Sequence, residues 1–235
     1  MNNRNFNIKA GDKVLDIGCG AMPFLLATHL ADISLEDNSG RFEMPIPTMN
    51  RPFYECSVEE MPFGDKFFDF VFCSHVLEHV KNPAKACREI MRVGKRGYIE
   101  CPRSWVEYVF ESQDHKWLVD HEKNMLIFRE KRDEERRDIL GLQYSIFDWL
   151  RDPGFRNHWS SDSIKAIRNV EFYWENEFQF KVIPKEQRLN AGVKPEMYFQ
   201  QPPPRRPRKS SDQLRHFLVN ELEYMATSSN GFSHG

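Results

Sequence analysis

The chain contains no run of about 18 apolar residues, so no segment is expected to cross a membrane. It also has no CxxC pair, and a zinc site built on that spacing is not expected; the sequence assigns no metal ligands. No internal repeat is visible, which argues against solenoids and propellers. Cysteine is sparse and odd in number: Cys19, Cys56, Cys73, Cys87 and Cys101 sit in or beside core-like stretches and read as free thiols in a reducing cytoplasm. Neither sign of charge dominates. With 33 Lys and Arg against 35 Asp and Glu, the net charge of −2 does not suggest a globally basic nucleic-acid binder. Met1 to Lys9 is polar and lacks an apolar core, so no secretory signal is expected and the localisation reads as cytoplasmic.

What is present is enough apolar and aromatic material for a packed core, 40% and 13% of 235 residues. Val14, Leu15 and Ile17 form a short apolar run of the kind buried on both faces of a parallel sheet. Gly18 and Gly20 follow, in a turn where backbone can approach a ligand, with Asp16 at the strand end just before it. This is the first β-loop-α unit of a nucleotide-type binding domain, whose ligand lies beyond the carboxyl ends of the strands. A short helix is expected over Ala21 to His29, then a second strand ending at Asp32 and Ile33. Asp32 stands where such units place the acid that accepts ribose hydroxyls, although the interval is shorter than the roughly 20 residues usual.

Further strands are expected at Phe53 to Cys56, Phe67 to Ser74 and Gly97 to Cys101. Helices are expected to start at Val76 and at Pro83, the second ending at Gly94. The alternation over residues 12–102 implies an α/β fold, a Rossmann-like, doubly wound, mostly parallel sheet. After Arg103 the pattern changes to a C-terminal α+β cap or extension. Val119 to Phe128 reads as a hairpin with Lys123-Asn124 at its tip, and Phe172 to Phe180 as one alternating strand. Gln200 to Lys209 is proline-rich and basic, hence extended, and Leu214 to Met225 suits an amphipathic helix. The expected units are a binding core over 1–103, the rest of the fold with an acceptor-side cap over 104–184, and a largely flexible tail over 185–235.

Several stretches, in the right order, resemble class I S-adenosylmethionine-dependent methyltransferases of the small-molecule, type 11-like group. Val14-Leu15-Asp16-Ile17-Gly18-Cys19-Gly20 is similar to the family's first motif. Glu59-Glu60-Met61-Pro62-Phe63 with Phe68-Asp69-Phe70-Val71 is similar to its acid-then-LPF signature, and Ser74-His75-Val76-Leu77-Glu78-His79-Val80 to its fourth motif. The resemblance covers about residues 11–103.

It implies S-adenosylmethionine as cofactor, with Gly18, Cys19 and Gly20 against its methionine part and Asp16 fixing the amino group. It implies Asp32 on the ribose hydroxyls, Ile33 against the adenine, Ser57 and Val58 beside the adenine edge, and Ser74 and His75 beside the sulfonium. Met22 stands where many members have a third glycine, and Ser57 where they have an acid. Methyl transfer needs a base only when the acceptor must lose a proton, and histidine titrates in the right range. His75 is the first candidate and His115 the second, while Glu78 and His79 read as helix-start residues. Trp105, Tyr108, Trp117 and Trp149 are expected to cap the pocket.

The expected activity is methyl transfer to an oxygen or nitrogen of a small-molecule or glycan-type acceptor, with no membrane and no nucleic-acid partner. The alternative is a non-catalytic methyltransferase-like interaction protein, or an RNA methyltransferase, that uses the basic proline-rich tail.

Overall fold

The computed structural model describes residues 6–37, 44–110, 112–132 and 149–190. Their strands are β1 (Val14–Ile17), β2 (His29–Asp32), β3 (Phe53–Glu55), β4 (Phe70–Ser74), β5 (Arg96–Pro102), β6 (Trp117–Glu122), β7 (Met125–Glu130), β8 (Asn169–Glu175) and β9 (Gln179–Ile183). Their helices are α1 (Pro83–Val93), α2 (Ser104–Val109), α3 (Pro153–Trp159), α4 (Asp162–Arg168) and α5 (Lys185–Asn190). Six strands form one sheet in the order β3-β2-β1-β4-β5-β8, parallel except for β8, which runs antiparallel to β5. The expected mostly parallel sheet is therefore present, with a helix packed on one face between β4 and β5. The strand order reverses between β1 and β4, and the crevice beyond their carboxyl ends is where such sheets bind ligands.

Helix α1 forms where expected. The Asn82 side chain accepts the Lys85 amide at 3.0 Å, Pro83 occupies the first turn, and Ala86, Cys87, Ile90 and Val93 make a buried stripe. Gly94 ends the helix for a reason other than the one its identity suggests. Its φ of −108° is extended, and a Cβ there would lie 2.5 Å from Val71 Cγ2, so the residue is required for close approach rather than for a left-handed cap.

Three expectations are corrected. Residues 18–28 contain no helix: the Phe24 amide donates to Asp16 Oδ2 at 2.7 Å, and Arg51 Nη1 takes the Phe24 carbonyl at 3.0 Å. These side chains take backbone groups that a helix would pair, and the segment has barely the dozen residues or so that a parallel crossover needs. Residues 75–80 form turns rather than a helix start, because the amides of Lys116 and Trp117 take the Glu78 carbonyl and Trp117 Nε1 takes that of Val80. Phe172 to Phe180 is two strands. The chain breaks at Asn176, φ 60°, leaves the first sheet as β8 and enters a second as β9.

That second sheet has the order β6-β7-β9 and includes the expected hairpin, with its turn at Lys123-Asn124. It shares one core with α1: Leu15, Ile17, Val71, Cys73, Ile99 and Cys101 from the large sheet pack with Ile90, Val119, Phe128 and Trp174. The opposite face of the large sheet carries Val14, Leu30, Phe70 and Tyr98, covered by Phe6, Phe24 and Ile46. Phe6 meets the rings of Phe24, Phe70, Phe72 and Tyr98 edge-on at 5.2–5.9 Å. Arg96 pins its segment by donating to the carbonyls of Phe6 and Asn7, both at 2.9 Å. Part of the charge run at Lys131 to Arg137, most of the Phe147 stretch and the basic proline-rich tail lie outside the described residues.

Phe6 stands in for a covering helix on this face, so Phe6→Ala should destabilise the fold by about 2–4 kcal/mol, slightly below the range for fully buried phenylalanines. A denaturant midpoint unchanged from the parent would show that the segment does not close the face.

Candidate functional site

Along a strand, side chains alternate between faces. Asp16, Asp32, Ser74 and Glu100 therefore share the face of Phe6, at the carboxyl ends of β1, β2, β4 and β5. A cavity of about 920 Å³ opens there, within the range of small-molecule sites, roughly 300–1,000 Å³. Asp16, Gly18, Cys19 and Gly20 line one wall, continued by residues 21–26. Phe72, Ser74, His75 and Glu100 form the floor, and Ser160, Lys165 and Arg168 face them from α4 and the turn that precedes it.

The glycine turn is sterically determined. Gly18 has φ 72°, and a Cβ on it would stand 2.2 Å from Val76 Cγ2. Gly20, φ 51°, donates its amide to Asp32 Oδ2 at 2.9 Å, and Ile33 donates its own to Asp32 Oδ1 at 2.8 Å. Asp32 and Ile33 thus adjoin the cavity through Gly20 without forming its wall. Ile33 is 73% exposed beside them, an apolar surface open to a flat ring. Ser57 accepts the Glu59 amide at 3.1 Å, and Val58 is buried in the core on the other side of the sheet, so neither lines the cavity.

Asp16 is only 3% exposed. Burial pushes its carboxyl up to about 7, against the Phe24 amide and Arg51, which favour the ionised form, while Asp32 adds repulsion. A carboxylate held at this cost suits a cationic partner.

His75 follows β4 in the left-handed region, φ 57°, a conformation rare for residues other than glycine and common at functional turns. Its amide donates to the Glu100 carbonyl at 2.8 Å. Its ring lies between two carboxylates, Nδ1 at 3.2 Å from Glu78 Oε1 and Nε2 at 3.4 Å from Glu100 Oε1. Burial opposes the charged ring, but the hydrogen bonds to Glu100 and Glu78 prevail and push it up to about 9. At neutral pH both ring nitrogens carry protons, the wrong state for a general base. Glu100 is itself held by Tyr98 Oη at 2.5 Å and Asn169 Nδ2 at 2.8 Å.

His115 does not line this cavity. Its Nδ1 lies 2.6 Å from Glu107 Oε1, whose other oxygen accepts from buried Lys131 at 2.8 Å. The four aromatic residues expected as a cap also lie elsewhere. Trp105 and Trp117 donate their indole protons to backbone carbonyls, Trp149 packs on Phe155, and none of them or Tyr108 lines the cavity. The cap residues present are instead Ser160, Lys165 and Arg168. Glu100 was within reach of sequence reasoning, since it shares parity with Tyr98 on an expected strand; Lys165 and Arg168 had no local signal.

Two pH effects follow. Asp16 has a folded value above its unfolded one, so its protonation favours the fold at low pH and this contribution is lost as pH rises toward 7. Asp16→Asn should therefore raise the melting temperature at pH 8 relative to the parent, with little gain at pH 4. His75 is raised as well, so its pairing stabilises fully below about 6.5 and is lost as pH passes 9. His75→Ala should cost more stability at pH 6 than at pH 10, and equal losses at both would remove the charged pair.

Residues 15–99 match the family described as "Methyltransferase domain". No curated protein matches the chain. Among solved structures, the chain is similar to an S-adenosylmethionine-dependent methyltransferase of Thermotoga maritima, with 18% identity, TM-score 0.34, and 41% of this chain and 47% of that one covered. It is similar to the YcgJ protein of Bacillus subtilis, with 24% identity, TM-score 0.34, and coverage of 42% and 47%. A protein of Pyrococcus horikoshii has 21% identity, TM-score 0.34, and coverage of 46% and 61%. The chain thus spans about half the length of the first two, and nothing about acceptors or partners passes from any of them to it. The motif order and the sheet with its reversal between β1 and β4 agree with the match of residues 15–99 to a methyltransferase domain, a match that implies S-adenosylmethionine as the methyl donor.

Proposed function

We propose that this chain binds S-adenosylmethionine beyond β1 and β2 and transfers its methyl group to an oxygen or nitrogen of a small molecule, glycan-type metabolites included. The observation that carries this reading is Asp16, a carboxylate buried in the wall of the cavity with no helix N-terminus beside it among the described residues. A helix start at this turn would favour a phosphate. A buried acid favours a cation, and the cofactor offers an ammonium and a sulfonium.

The residues fit such a ligand. Asp16 holds the amino group and is drawn back to its ionised form by it. Gly20 leaves open space where a Cβ would project. Asp32 accepts the amides of Gly20 and Ile33, which fixes its carboxylate where a ribose hydroxyl would lie. The bound cofactor supplies an already activated methyl group, so the protein's task is alignment. Ser74 and His75 stand at the floor toward the facing wall, where Lys165 and Arg168 supply positive charge that suits an acceptor with an acidic group. His75, charged near neutrality, acts as a positioning residue that orders Glu100 and Glu78 and does not accept the acceptor's proton.

Calorimetric titration of the purified chain with S-adenosylmethionine should show one-to-one binding. Asp16→Ala and Asp32→Ala should each weaken it about 10- to 100-fold, as expected for lost charge-assisted hydrogen bonds. Absence of binding by the parent chain would end this reading, and an unchanged affinity in either variant would remove that residue from the site.

A further inference from the structure

We infer that Glu78, His79 and His115 form a binding site for a divalent transition-metal ion, Zn²⁺ first, with at least one coordination position open. One ligand atom from each of the three residues lies within 4.8 Å of the others. The site does not depend on the methyltransferase reading, because none of the three residues lines the cavity.

The chemistry of each donor points the same way. Glu78 is 1% exposed, and its Oε2 is buried with no hydrogen-bond partner, while Oε1 is occupied by His75. The only further contact of this carboxylate among the described residues is a weak hydrogen bond from the buried Cys101 thiol. A thiol is at best a weak donor, and a buried carboxylate oxygen with no stronger partner is costly enough to need a reason. His79 Nδ1 lies 3.3 Å from the Asp114 carbonyl, which can only accept, so Nδ1 carries the hydrogen and the neutral ring leaves Nε2 with its lone pair. His115 Nδ1 lies 2.6 Å from Glu107 Oε1, and the same reasoning leaves its Nε2 as the donor to a metal. Metal-binding histidines characteristically give their other ring N–H to a carboxylate or a backbone carbonyl, which fixes tautomer and orientation. Both partners are present here, and Lys131 with the Ser112 carbonyl extends the support behind Glu107.

The fold holds the donors together by backbone rather than by chance of rotamer. The amides of Lys116 and Trp117 bind the Glu78 carbonyl at 2.7 and 3.2 Å, which lays residue 115 against the turn that bears residues 78 and 79. The rings of His79 and His115 meet edge-to-face with centroids 4.5 Å apart. A tetrahedral ion with bonds of about 2.0–2.2 Å needs donors roughly 3.4 Å apart, so the group, whose ligand atoms lie within 4.8 Å of one another, closes by about 1.4 Å at most. His79 is exposed, and this exposure gives the ion a path in. Two imidazoles with one carboxylate match the donor set of three-ligand zinc sites, in which a fourth position holds water. The same three donors also bind other first-row ions, so the metal is given by class, with Zn²⁺ as probe.

The test is a titration of the chelator-treated full chain with Zn²⁺ against a competing metal indicator. One equivalent should bind, and His79→Ala and His115→Ala should each weaken binding at least 10-fold. His29→Ala, on β2, should leave it unchanged. The exposed position of His79 makes its variant safe for folding, which circular dichroism checks. Loading with Co²⁺ should give ligand-field bands without a thiolate charge-transfer band. No binding by the parent, an unaffected His79→Ala variant, an equal loss in His29→Ala, or a thiolate band would each overturn the assignment. Because metal binding is read directly, failure of cofactor binding leaves it standing, and its own failure leaves the cofactor reading untouched.

Discussion

Strand alternation is the constraint on which the rest of this molecule depends. Parallel register puts Asp16 beside Phe72 and Asp32 beside Glu55, and every second side chain then faces the same way. One face of the large sheet is apolar along its whole length and is sealed by α1 and the second sheet. The other face is divided across the strands, aromatic at the amino ends and ionisable at the carboxyl ends. The boundary runs through Phe72, which stacks on Phe24 at 4.2 Å while lining the cavity. The cavity and the second core are therefore one surface, and the cavity is the part of that core left unfilled.

The connection from β1 to β2 shows how such a division alters local structure. In a doubly wound sheet this connection normally carries a helix. Here Asp16, Asp32 and Arg51 hold the backbone of residues 18–28 directly, through bonds to Phe24 and Gly20. The segment is shaped by the carboxylates it surrounds, so the acids serve the architecture before any ligand arrives. Removing a helix also removes a source of positive potential, and the cavity wall on this side is acidic while the facing wall is basic. A ligand pair lying across the cavity would meet charge of opposite sign at its two ends.

Much of the core was legible in local signals. Val14 to Ile17, Phe70 to Ser74 and Gly97 to Cys101 are short apolar runs bounded by turn residues, and Asn82-Pro83 marks a helix start by side-chain chemistry alone. The features that escaped reading depend on contacts between distant residues. Nothing in Ala21 to His29 announces that Arg51 and Asp16 will take its carbonyls and amides. Nothing in Val76 to Val80 announces that Lys116 and Trp117 will do the same. The turn at Asn176 divides an evenly alternating aromatic run because its halves belong to different sheets, a tertiary choice that alternation cannot encode. Tryptophans expected over the pocket are instead consumed by the core and by backbone carbonyls, the usual destination of large amphipathic rings. Lys165 and Arg168 reach the cavity only because β8 returns antiparallel to β5 and places α4 beside the carboxyl ends.

The buried carboxyl of Asp16 carries one more consequence. Burial pushes its value up to about 7, so the group titrates in the neutral range instead of being fully ionised there. A cation that docks against the group needs it ionised, so occupancy of the cavity and release of that proton are a single linked equilibrium. The heat of binding would then contain the ionisation heat of whatever buffer takes up the proton. The affinity of the site becomes a property of the surrounding acidity as much as of the ligand.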